Sequence, residues 1–305
     1  MARQKQPRQI VQLTIRQFEK LFPDEDACDA YLVAHRWPDG VRCPRCGSER
    51  VYPLTTRKWH WECPDCRQGG AYRFSDITGT IFENTNKPLR DWFRVIHLMV
   101  TSKKGISARQ VYRYMGFGSL KTAWYMCHRI RLAMQDAEFR KLVGVVEIDE
   151  TFVGGKAKNR HRSDRNDGPK GGAGGKTPVV GAVSRTGKQV VARVVKRLDK
   201  MTVAKFVAET VERKVSVLCT DEWPGYKILD RFYERGSVDH SKEQYVVGAI
   251  HTNTIEGFWS ILKRGIVGTF HKVSAKYLPL YVAEFQFRYN NRENAHIFES
   301  AVAGC

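Results

Sequence analysis

Apolar side chains recur at helical spacing near the start of the chain: Ile10, Leu13, Phe18, Leu21 and Phe22, then Ala30, Tyr31, Val33 and Ala34, with Pro23 between the two groups. That period, broken by a proline, predicts two short helices within 1–38. Val51, Tyr52, Trp59 and Trp61 are β-forming residues and predict a hairpin-like ribbon within 39–75. Over residues 88 to 140 the 3.6-residue period returns. PLRDWFRVIHLMV begins at Pro88, SARQVYRYMG stops at a glycine, and GSLKTAWYMCHRIRLAM opens a further helix. The segment 76–142 therefore has a helix-turn-helix outline.

From Val145 the texture changes. VVEIDETFVGG alternates as a strand, PVVGAVSRTGKQVVARVV reads as two strands around an SRTGK turn, VAKFVAETVERK is helical, and VSVLCTDEW is a buried strand breaking at Trp223-Pro224. Strand, strand, strand, helix, strand is the order of an RNase H-like α/β layer, so a mixed sheet flanked by helices is expected over 143–295. Gly154 to Lys176 is rich in glycine, lysine and arginine and is expected to be a basic loop inside that domain. Its end, GGAGGKT, is not a phosphate loop, because Lys170 stands where the pattern needs glycine and a strand follows where a helix is required. Residues 296–305 are expected to form a C-terminal tail.

Composition adds a partner to this outline. Lys and Arg number 51 against 32 Asp and Glu in 305 residues, a formal charge of +19 and a pI near 9.7, which favours a polyanion and nucleic acid above others. From Thr101 to Arg131 there are seven cations and no acid. This segment could lie on DNA phosphates, with Lys121, Arg129 and Arg131 as candidate contacts, or it could be a helical hairpin that merely packs. No apolar run approaches the length of a membrane span and no signal-peptide segment opens the chain, so a soluble, intracellular protein is expected.

Four of the eight cysteines form two close pairs, Cys43 with Cys46 and Cys63 with Cys66, separated by sixteen residues. Each CxxC is a knuckle that aims two thiolates at one point, and two knuckles complete a tetrahedral zinc shell. His60 is the rival donor, but a four-cysteine site needs no fifth ligand. Cys28, Cys127, Cys219 and Cys305 are scattered and read as buried or incidental thiols.

Acids mark a second centre. Asp149 and Asp221 lie at predicted strand ends, and Glu256 near the start of a late helix, HTNTIEGFWSILKR. Phosphodiester chemistry at neutral pH suits two divalent cations bridged by carboxylates, and hard oxygen ligands suit Mg²⁺ or Mn²⁺. Strand alternation puts Glu147 on the face of Asp149 and Glu150 on the opposite face. Asn253 and Glu256 also have the spacing of a capping box with Asn253 as N-cap. Phe258, Trp259 and Leu262 read as core.

IDETFVGGK, TDEWPGY and HTNTIEGFWSILKRG, with CPRC, CPDC and the FSDITGTIFENTNKPLRDWF stretch, resemble the insertion-sequence transposases that join an N-terminal zinc ribbon to a DDE catalytic core of RNase H-like fold. The resemblance runs over roughly residues 15 to 295. It implies that Asp149, Asp221 and Glu256 are the three catalytic, Mg²⁺-binding acids; since some relatives carry Asn as the third residue, Asn253 is an alternative to Glu256. Lys263 matches a basic residue of the family on the same helix and, with Arg264, would grip a phosphate. Implied too are Zn²⁺ in the ribbon, double-stranded DNA as partner, a homodimer or higher homo-oligomer, a cytoplasmic, nucleoid-associated site of action, and cutting followed by joining of a 3′-hydroxyl. The alternatives are a zinc-ribbon DNA-binding protein that does not cut, and a ribonuclease H-type nuclease.

Overall fold

A computed structural model describes residues 12–66, 70–135, 140–155, 175–238 and 251–305. Most of the basic loop expected at 154–176 lies outside these residues, as does Ile10. The chain divides into two compact units, one made of residues 1–134 and 293–305, the other of 135–292.

The first unit opens with α1 (Ile15–Leu21), started by a capping box between Thr14 and Gln17, and α2 (Glu25–Arg36), capped by Asp24. Strands β1 (Tyr52–Pro53), β2 (His60–Cys63) and β3 (Tyr72–Ser75) then form an antiparallel ribbon in that order. α3 (Leu89–Thr101) follows Pro88, which has no side chain able to cap it; the Glu25 carboxylate of α2 instead accepts from the backbone N–H groups of Leu89 and Arg90. α4 (Ala108–Met115) ends at Gly116 with φ +61°, a left-handed conformation that glycine adopts without strain, and α5 (Leu120–Ala133) starts behind the Ser119 cap. The helix, glycine turn and helix expected here are all present.

The second unit contains β4 (Val145–Val153), β5 (Thr177–Ser184), β6 (Gln189–Val194), α6 (Lys200–Thr210), β7 (Val217–Asp221), a 3₁₀ segment (Pro224–Arg231), β8 (Arg235–Val238), α7 (Asn253–Arg264), a π-helical turn (Gly265–Phe270) and α8 (Leu278–Asn290). The sheet order is β6-β5-β4-β7-β8. β4, β5 and β6 form an antiparallel meander, whereas β7 runs parallel to β4 and β8 parallel to β7. An antiparallel triplet extended on the far side of its first strand by parallel strands is the RNase H-like arrangement. Alternation along the strands builds two cores: Val146, Ile148, Val180 and Ala182 meet Val203, Phe206 and Val207 of α6, while Val179, Val183 and Val190 meet Ile255, Phe258 and Leu262 of α7 and Phe285 of α8.

The free edge of β6 is covered by side-chain amides of α8. Asn290 accepts from the Val190 N–H (2.8 Å) and donates to its carbonyl (3.0 Å), and Gln286 accepts from the Ala192 N–H (2.9 Å). These amides occupy ladder positions that another strand would otherwise fill.

Residues 296–305 are not a tail. They contain α9 (Ile297–Ala303), which closes the first unit, with Phe298 buried among Phe18, Phe22, Tyr31 and Phe93. A seven-residue helix with four buried side chains carries too little pattern to stand out in the sequence.

Candidate active site

The acids meet where two parallel strands stop pairing. β4 and β7 are in register from Val145–Val217 to Glu147–Cys219, and continuing that register sets Asp149 opposite Asp221, the last residue of β7. The carboxyl end of parallel strands is the crevice in which α/β sheets bind ligands. Carboxylate oxygens of Asp149, Glu150 and Asp221 all lie within 4.8 Å of one another. Mg²⁺ takes carboxylate oxygens at about 2.0–2.1 Å, which sets two donors to one ion at most about 4.2 Å apart, so donors gathered to within 4.8 Å stand close to the spacing of a shared cation.

Each acid has its own support. Asp149 accepts from the indole N–H of Trp259 (3.0 Å), and Asp221 accepts from the backbone N–H of Trp223 (3.1 Å). Glu150 accepts from the Tyr226 hydroxyl at 2.5 Å. Burial pushes the Asp149 carboxyl up to about 6, with the Asp221 charge adding to it, and burial pushes Glu150 up to about 7 against the opposing pull of Tyr226. Trp259, expected only as core, is thus also a direct partner of Asp149. It fits because Gly181 on β5 leaves it room: a Cβ there would come within 2.7 Å of the indole ring.

Glu150 is a correction to the alternation argument. Its side chain does leave β4 on the face opposite to Asp149, toward Tyr226, but β7 ends at Asp221 while β4 runs on to Val153, and past that end the Glu150 carboxylate joins the other two acids. Glu256, by contrast, is exposed and forms no such close group with Asp149 and Asp221 among the described residues. Its carboxylate accepts from the Thr252 hydroxyl (3.3 Å), and its charge acts on Asp149.

Asn253 is not a cap. It is exposed and is the first residue of α7; Thr252 is the N-cap and makes no capping bond with its side chain. The start of α7 is capped instead from the sheet by Glu147, fully buried, whose carboxylate accepts from the N–H of Thr254 (2.8 Å), the N–H of Ile255 (2.9 Å) and the Thr254 hydroxyl (2.7 Å). Arg185 balances that charge at 2.5 Å and donates to the His251 carbonyl at 2.6 Å, while the His251 imidazole lies 3.2 Å from Glu147. Strand β4 therefore presents Asp149 to the crevice and Glu147 to the helix that carries Glu256. Lys263 and Arg264 are exposed in the last turn of that helix.

In the first unit Cys43, Cys46, Cys63 and Cys66 form one cluster, with Sγ–Sγ distances of 3.7 Å for Cys43–Cys66 and for Cys46–Cys63. The edge of a tetrahedron with zinc–sulfur bonds near 2.3 Å is about 3.8 Å, so the four thiolates fit Zn²⁺. His60 is turned elsewhere, 2.9 Å from the Lys58 carbonyl. The cations proposed for DNA contact diverge. Lys121 is exposed, Arg129 is half-buried with its guanidinium donating to the Glu83 carbonyl, and Arg131 is 1% exposed. Arg131 therefore belongs to the interior of this unit and presents no charge at its surface, because helical spacing turns it onto the packed face of α5. Arg109 and Arg113 of α4 are exposed, as are Tyr114 and Tyr125.

Residues 141–290 match the family described as ISXO2-like transposase domain, and residues 23–76 match the transposase zinc-ribbon domain. An uncharacterized protein in transposable element ISH50 of Halobacterium salinarum is 30% identical over 281 residues, covering 88% of this chain and 92% of its own. Among solved structures, the catalytic core domain of BIV integrase overlaps 46% of this chain and 80% of its own at 14% identity and a TM-score of 0.31. The simian T-cell lymphotropic virus intasome in complex with PP2A regulatory subunit B56 gamma overlaps 58% and 67% at 11% identity and a TM-score of 0.29.

Proposed function

For a chain that belongs to the IS1595 family of transposases, with that family's zinc ribbon ahead of its ISXO2-like transposase domain, we propose that it cuts DNA at the ends of its element and joins the freed 3′-hydroxyl to target DNA. The observation that carries this reading is the meeting of Asp149 and Asp221, 72 residues apart in sequence, at the open end of two neighbouring parallel strands. Asp149, Asp221 and Glu256 hold the catalytic ions in this reading. Magnesium or manganese bound by them would supply activation of the attacking oxygen and charge neutralisation at the leaving oxygen.

The protein's own groups do the rest. Trp259 fixes the rotamer of Asp149, and Glu147 fixes the helix that carries Glu256. Lys263 and Arg264, on the same helix, neutralise the phosphates beside the scissile bond. In the first reaction the oxygen of water forms a bond to phosphorus and the 3′-oxygen leaves as a hydroxyl; in the second that hydroxyl attacks a target phosphodiester and displaces another 3′-oxygen. The zinc ribbon and the exposed basic and aromatic surface of α4 and α5, including Lys121, bind the element ends as double-stranded DNA. Two ends handled together call for a homodimer or larger assembly.

The test uses DNA carrying the sequences that flank the reading frame, with Mg²⁺ or Mn²⁺. Wild-type protein should yield cut and joined products. Asp149→Asn and Asp221→Asn should each lower cutting by at least a hundredfold while DNA binding stays within about twofold. Glu256→Gln should silence cutting and Asn253→Ala should not; the reverse result would move the third acid's role to Asn253. Binding without any wild-type cutting would make the chain a DNA-binding protein, and degradation of an RNA–DNA hybrid without joined products would make it a nuclease.

A further inference from the structure

The three carboxylates that lie within common reach are not the three the family reading names. Glu150 stands where Glu256 was expected, beside Asp149 and Asp221. Its placement is built rather than incidental. β7 ends at Asp221, Pro224 breaks the strand, and the 3₁₀ turn that follows buries Tyr226 completely in the core beneath the sheet. The one polar atom of that side chain emerges at Glu150, 2.5 Å from its carboxylate. A single turn thus delivers both Asp221 and the hydroxyl that aims Glu150 at it. The contrast with Glu147 on the same strand is informative. Glu147 is buried against Arg185, whereas Glu150 has the Tyr226 hydroxyl and the carboxylates of Asp149 and Asp221 around it. Holding a carboxylate beside two others, in low dielectric, is costly unless a cation joins them.

We propose that Glu150 is a ligand of the divalent cation held by Asp149 and Asp221, with Tyr226 as its positioning residue. This rests on the reading of Asp149 and Asp221 as ion-binding acids. It adds a fourth carboxylate to the site and leaves Glu256, further out on α7, to act beside Asp149.

The test is Mn²⁺ binding to the full-length, zinc-loaded protein without DNA, followed by the paramagnetic resonance of free manganese. Asp149→Asn should abolish binding at the site. Glu150→Gln keeps the shape and can still accept from Tyr226, and it should weaken Mn²⁺ by about tenfold or more. Glu150→Asp keeps the charge but withdraws the oxygens by one methylene, and it should weaken binding as well, which a general charge effect would not. Tyr226→Phe should weaken Mn²⁺ binding by roughly tenfold with the carboxylate intact. If Asp149→Asn loses the ion while Glu150→Gln and Glu150→Asp bind as wild type does, Glu150 is no ligand and the reading of the other two acids stands. If Asp149→Asn also binds normally, the ion site itself is wrong. Wild-type affinity in Tyr226→Phe would remove the positioning role.

Discussion

Glu147 and Glu150, three residues apart on β4, meet opposite surroundings. The first is matched: Arg185, two backbone N–H groups and a hydroxyl converge on it. Replacing it with alanine leaves Arg185 facing a vacated buried site and strips the cap from α7, so Glu147→Ala should cost about 3–5 kcal/mol in a urea unfolding measurement. Another acid, half-buried, belongs to the first unit. Burial and a hydrogen bond to Asp76 push the Asp29 carboxyl up to about 8. A folded-state pKa above the unfolded one means the fold binds the proton more tightly, so stability falls as pH rises from about 4 through 8. Thermal unfolding of zinc-loaded protein at pH 6 and 8.5 should show wild type losing more stability than Asp29→Asn across that interval. Both variants carry the same zinc site, so its own pH dependence cancels. At this scale spacing marked the cysteines and a strand end marked Asp221; Asp149, also expected at a strand end, lies in the middle of β4, beside the point where β7 stops. The residue pattern gave neither Glu150 nor Trp259 a part in the site, since alternation points the first away from the crevice and apolar character assigns the second to the core.

Among the elements, the meander β4–β6, α6 and β7 were legible from alternation and period. β8 was not, since Arg-Gly-Ser-Val has neither the length nor the β-branched content to announce a strand, and it exists because it pairs with β7. The capping-box spacing at Asn253 misled for a related reason. A local motif competes with tertiary partners, and a buried carboxylate from the sheet reached the helix start first. The edge of β6 gives an element-level prediction. Gln286→Leu combined with Asn290→Leu removes the acceptors for Val190 and Ala192, and it should both lower stability by about 1–3 kcal/mol per lost partner and drive concentration-dependent association beyond the wild-type state, seen by sedimentation velocity.

At the scale of the whole molecule, two compact units and a formal charge of +19 describe a chain suited to a polyanion. Within the described residues no helix is long and apolar enough to cross a membrane. Since the zinc ligands sit in the first unit only, Cys43→Ser should release the zinc, measured by a chromogenic chelator, and abolish the unfolding transition of that unit while the second unit's transition persists. The sequence divided the chain into consecutive segments, and the fold does not, because the apolar face of α9 is satisfied by aromatic side chains from the opposite end of the polymer.

That connection sets an order of events during synthesis. Phe18, Phe22, Tyr31 and Phe93 leave the ribosome long before Phe298, with the entire second unit translated in between. The nascent ribbon-bearing unit therefore waits, its aromatic cluster one ring short, until the second unit has been made and can begin to fold.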